Sequence, residues 1–272
     1  MPLSLSQRAA GALIGAAGCR PGPRPAGRDG GLLLMLDLAE ELAAGRRDLR
    51  AVAHRWVERY RAHPDDLAAE TAAALAHLAR HDAPPSQAAG RGSDPLVRAL
   101  PVALAAHDDP RTLVSASYHV VALTHPDPLV QWAAVAVNLA LGRLLAGRRD
   151  FVPEVIEALR ANGAPAEVLT AVRGVPLLRY EDPGPGSAVA DASAALRLVY
   201  HEPLPARGLA PVRAAGPEAA GRAGLAGALL GARDGADRLP ADWLPGAHRA
   251  KLQALAERLV GPGPRAAPAA VS

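Results

Sequence analysis

Apolar residues recur every three to four positions along nearly the whole chain, the spacing that lines up one apolar stripe on an α-helix. The pattern predicts helices over residues 6–18, 31–44, 48–62, 65–81, 94–106, 110–123, 127–146, 151–162, 164–173, 187–201, 217–232 and 247–260. Their ends carry chemical signals. Gly45 and Gly147 fit the left-handed residue that stops a helix, and Asp48 and Asp150 follow them as N-caps. Asp109 and Asp127 each precede a proline, the arrangement of an N-cap followed by the first helical residue. Only GVPLLRY, Gly174 to Tyr180, has a strand-like pattern, and an extended connection reads equally well. Gly- and Pro-rich stretches at 20–30, 82–93, 181–187 and 203–216 read as loops. No linker separates two cores, so residues 1–260 form one compact all-α domain, a helical bundle, and residues 261–272 a disordered tail.

Composition changes the picture in three ways. Half of the residues are hydrophobic but only 3% are aromatic, so the core is Ala, Leu and Val, which pack helices closely. The net charge is +3, yet Lys251 is the only lysine among 30 basic residues, and Arg alternates with acidic residues. The like-charge runs of a nucleic-acid binder are missing, so no nucleic-acid partner is expected. Cys19 stands alone, which excludes an internal disulfide and a Cys-based zinc site and fits a reducing, cytoplasmic home.

The run AAGALIGAAGC ends like a lipoprotein cleavage site, but it is short and preceded only by Arg8, so it reads as an amphipathic first helix. No membrane partner is expected. His77 and His81 are spaced to share a metal on one helix face, but no third ligand lies near, and a solvent-facing pair is the simpler reading. Tyr118, Trp132 and Trp56 read as core. The phosphate-binding and nucleophile-elbow motifs are absent.

Three segments go further. QRAAGALIGAAG (Gln7 to Gly18), ALTHPDPLVQWAAVAVNLALGRLLAG (Ala122 to Gly147) and AAGPEAAGRAGLAGALLGA continued by RDGADRLPADWL (Ala214 to Leu244) together resemble the ADP-ribosylglycohydrolases, as does RALPVAL, Arg98 to Leu104. The resemblance implies an all-helical fold and, in catalytic members, two magnesium ions. It also implies that the ligands are changed here. The family's Thr-Asp-Asp-Thr falls on Asp29, Gly30, Gly31 and Leu32. Its Gly-Gly-Asp-x-Asp-Thr falls on Gly216, Pro217, Glu218, Ala219, Ala220 and Gly221. Asp29 and Glu218 offset two of the four positive charges that two magnesium ions bring, while Arg20 and Arg222 add to them. No metal pair and no cofactor are therefore expected; a single cation between Asp29 and Glu218 is the alternative.

The resemblance places ligand-binding groups at Arg20, Ser93, Asp94, Arg98 and His125. Either Cys19 or Arg20 stands where the family's first loop has an Asp, and Gly92, Ser93 and Asp94 where it has Gly-Asn-Gly. The leading reading is a pseudoenzyme that binds a small molecule or scaffolds a protein. The runner-up is a repurposed, metal-independent enzyme using Asp29 with Glu218 as an acid–base pair, or Cys19 as nucleophile. The third is a homo-oligomeric regulator with an apolar patch on helices 65–81 or 127–146.

Overall fold

A computed structural model describes residues 2–19, 30–87, 90–184, 186–216 and 219–261. Among them are thirteen α-helices: α1 (Leu5–Gly18), α2 (Gly30–Ala43), α3 (Leu49–Ala62), α4 (Ala69–His81), α5 (Asp94–Ala105), α6 (Pro110–Ala122), α7 (Pro128–Leu145), α8 (Val152–Ala161), α9 (Ala166–Arg173), α10 (Ala188–His201), α11 (Pro205–Ala214), α12 (Ala220–Asp234) and α13 (Gly246–Val260). Among the described residues there is no strand, and Gly174 to Leu178 instead form a turn closed by the Leu178 N–H on the Gly174 carbonyl at 3.0 Å.

The helix signals act as their chemistry requires. Gly45 and Gly147 take left-handed φ angles of 77° and 79°. The carboxylates of Asp48, Asp109 and Asp127 accept from the backbone N–H groups of Arg50, Arg111 and Leu129. Asp150 does not cap: Phe151 holds the N-cap position of α8, and no side chain bonds there.

α5, α7 and α12 are inner helices. α12 is buried on every side from Gly221 to Arg233. α7 is long and apolar enough to cross a membrane, but 78% of it is buried inside this fold. Its apolar face packs the chain's own core, so it offers no apolar patch to a second copy. α1 lies against α12 at glycine. A Cβ added to Gly15 would sit 1.9 Å from the Gly227 carbonyl oxygen, and one on Gly11 2.0 Å from that of Gly231. Polar pegs fix the surrounding helices. Trp56, fully buried, donates to the Leu34 carbonyl at 3.1 Å, and the Asn138 amide donates to the Ala99 carbonyl and to Ser117 Oγ.

α2 also carries two buried acids, Asp37 and Glu41, on its α3 side. Arg55 donates to both, at 3.1 and 2.8 Å; Arg59 donates to Asp37 and Arg46 to Glu41. The Arg46 hydrogen bond leads in holding the Glu41 carboxyl down to about 2, with Arg55 helping against the opposing effect of burial. A carboxyl lowered in the folded state adds stability above its unfolded value, and that stability is lost as pH falls toward 2. Glu41→Gln is expected to lower stability at pH 7 by about 1–2 kcal/mol, Arg46 being half exposed. The gap should narrow between pH 4.5 and pH 2, as urea titrations at stepped pH would read.

Candidate functional site

Four helix starts converge. α2 begins Gly30-Gly31, α5 begins after Ser93 with Asp94, α12 begins Ala220-Gly221, and α10 turns Asp191 toward them. The approach is close because the residues are glycine. A Cβ on Gly31 would sit 3.1 Å from the Asp94 carboxyl carbon and from one of its oxygens. One on Gly30 would lie 2.7 Å from the Asp66 carbonyl oxygen and 2.9 Å from Leu67 Cα. One on Gly221 would fall 2.2 Å from Ser93 Oγ. Atoms of this chain thus occupy the space into which side chains at these three positions would point.

Ser93 caps nothing, although it precedes α5. Its hydroxyl donates to Asp191 Oδ2 at 2.6 Å. The other Asp191 oxygen accepts from Arg222 Nη1 at 2.7 Å, and Arg222 Nη2 donates to Asp182 at 2.7 Å. Arg222 Nη1 also reaches the Gly184 carbonyl at 3.2 Å. Arg222 and Asp191 are both buried. Burial pushes the Asp191 carboxyl above its ordinary range, against the pull of the Ser93 and Arg222 hydrogen bonds. The positive charge expected from Arg222 is present, but two carboxylates already neutralise it.

Beneath this network lies Arg98, with no exposed surface. Its Nη1 and Nη2 donate to Thr124 Oγ1 at 3.1 Å and Thr71 Oγ1 at 3.3 Å, and its guanidinium carbon sits 5.7 Å over the Trp56 ring. Burial lowers its pKa to about 10, and its Nε has no partner. His125 is 1% exposed and shares the Thr124 hydroxyl, its Nδ1 lying 3.0 Å away. Burial first, and the Arg98 charge second, push His125 down to about 3, so the ring is neutral at physiological pH.

Of the residues expected to bind a ligand, then, Ser93, Arg98 and His125 do come together, but they are interior groups engaged with Asp191, Thr124 and Thr71. Asp94 is half-buried at the seam with Gly31. Asp29, Glu218 and Arg20 lie outside the described residues. Cys19 is a correction. It has no exposed surface, it ends α1 against Gly227, and burial raises its thiol to about 12 despite Arg213 nearby. A nucleophile needs a thiolate. Iodoacetamide at neutral pH is expected to alkylate the native chain at least about 100-fold more slowly than the urea-unfolded chain, as mass spectrometry would follow. The His77 and His81 rings lie 4.4 Å apart, and no group of three metal-binding side chains occurs among the described residues.

The pattern missed Asp191. It is the lone charge in AVADASAAL, an otherwise small and apolar run, and that isolation was the available signal. Nothing in the sequence paired it with Arg222, 31 positions away.

The sequence profile of the ADP-ribosylglycohydrolase family matches residues 31–268. The chain belongs to this family. A solved structure described as an "ADP-ribosylglycohydrolase-related protein complex" is similar to it over 94% of this chain and 98% of that one, with a TM-score of 0.77 and 23% identity. That likeness shows the fold. No curated protein matches. The family's all-helical architecture is what the described residues form, so the resemblance read from the four sequence segments holds for family and for fold.

Proposed function

We propose that this member of the family is a non-hydrolytic binding or scaffolding protein. The reading is carried by the glycines at the helix starts. The family's two magnesium ions need carboxylate oxygens at near-octahedral positions. Carboxylates at Gly30 or Gly31 would run into Asp66, Leu67 or Asp94, and any side chain at Gly221 would displace Ser93. Among the described residues, Gly30, Gly31 and Gly221 offer no oxygen ligand to a magnesium pair, and no cluster of three metal-binding side chains occurs. The Arg222 guanidinium further supports the reading, because it engages Asp191 and Asp182, two carboxylates that could otherwise serve as metal ligands near the start of α12. One cysteine, buried as a free thiol, supports a cytoplasmic location.

The test is direct. The full chain, purified without chelators, is expected to carry less than one equivalent of divalent metal. With magnesium added, it should release no ADP-ribose from arginine- or serine-linked substrates above the protein-free rate. Robust magnesium-dependent release would overturn the proposal. A thermal shift with ADP-ribose alone would show that recognition is kept while turnover is not.

A further inference from the structure

We propose that a cavity at the far end of α2 and α5 from the glycine-lined helix starts binds a compact, neutral molecule with about five to seven carbons and one hydrogen-bond acceptor. The cavity measures about 110 Å³ and opens to the surface between α2, α3, α5 and α6. Leu38 and Leu42 of α2 form one wall. They follow Gly31 by seven and eleven residues, so at 1.5 Å per residue they lie roughly 10 and 16 Å along the helix from it. The site is therefore separate from the convergent helix starts and stands whether or not the non-hydrolytic reading does.

The opposite walls are built of small groups. Val102 and Ala105 come from α5, just after Pro101 interrupts its hydrogen-bond ladder, and Ala116 comes from α6. Larger side chains at the two alanines would have closed the space. A folded interior otherwise leaves few voids larger than water. Even a sealed apolar void of ~150 Å³ accepts benzene. The space between these walls therefore selects a small ring or short branched chain.

The rim selects the polar end. Only Arg47 and Thr112 among the lining residues carry polar side chains. The Thr112 hydroxyl already donates to Asp109 at 2.6 Å, so the Arg47 guanidinium is the donor available to a ligand. That calls for an acceptor. Asp109, near enough to Arg47 to feel its charge, would repel a carboxylate at the same mouth. A ketone, ester or alcohol fits where an acid does not.

The experiment uses ligand-observed NMR on the full chain with cyclohexanone and, separately, cyclohexanecarboxylate. Saturable cyclohexanone binding is expected, weakened about tenfold or more by Ala116→Leu, which fills the cavity. Ala105→Leu, filling it from the other side, serves if the first variant does not fold by circular dichroism. No saturable binding to the unaltered chain, equal binding to a folded filled variant, or tighter binding of the carboxylate would each overturn the proposal.

Discussion

Gly15→Ala is expected to lower the stability of the chain by about 3 kcal/mol or more, although it adds a single methyl group. The methyl would lie 1.9 Å from the Gly227 carbonyl oxygen and 2.5 Å from its carbon. Both are backbone atoms, and no rotamer change relieves them. α1 and α12 must move apart, and the contacts of Gly11 with Gly231, one turn along, would loosen with them. Alanine's better helix propensity offsets at most about 1 kcal/mol. Gly246→Ala is the control. It has open space where the Cβ would go and should stay within about 0.5 kcal/mol. Urea midpoints at constant m-value would read both.

Arg222→Met is expected to cost about 3 kcal/mol at pH 7. It leaves Asp191 buried with only the Ser93 hydroxyl for company, and it releases Asp182 and the Gly184 carbonyl. The loss should depend on pH with a definite sign. Burial already raises the Asp191 pKa, and removing the guanidinium raises it further. A carboxyl raised in the folded state stabilises the fold when protonated, and that stability disappears as pH climbs through the folded value. The variant should therefore gain on the unaltered chain as pH is lowered from 7 toward the usual carboxylate range. Adding Asp191→Asn should recover part of the loss at pH 7, because no charge is then buried without a partner. Equal losses at every pH would show that Asp191 is not the group left exposed to the change.

Much of the architecture was legible because small residues, capping Asp and terminal Gly act locally. α11 was not. Pro203, Pro205 and Pro211 made residues 203–216 read as a loop. Pro205, however, takes the first helical position, where no N–H is needed, and Leu209 and Val212 anchor the short helix in the core. The error at Asp150 has the same root: the cap signal was local, and Phe151 displaced it.

The helix starts were harder to read. Counting residues located Gly30, Gly31 and Gly221, but could not reveal that Ser93 and Asp94 occupy the adjoining space. Depth was equally invisible. Periodicity gives Arg98 a face of α5, while its complete burial depends on Thr71, Thr124 and Trp56, brought in from three other segments. Cys19 was a candidate nucleophile by its place at the end of a helix, and its seat against Gly227 depends on a segment more than two hundred residues away.

That last separation has a consequence for how the protein is made. α1 leaves the ribosome long before α12, yet Arg8 finds its carbonyl acceptors at Ala232 and Arg233, 224 and 225 positions later. Until α12 emerges, the first helix must wait with its Ala-Leu-Ile surface uncovered. Chains cut short before α12 should therefore be the ones that chaperones hold and proteases clear.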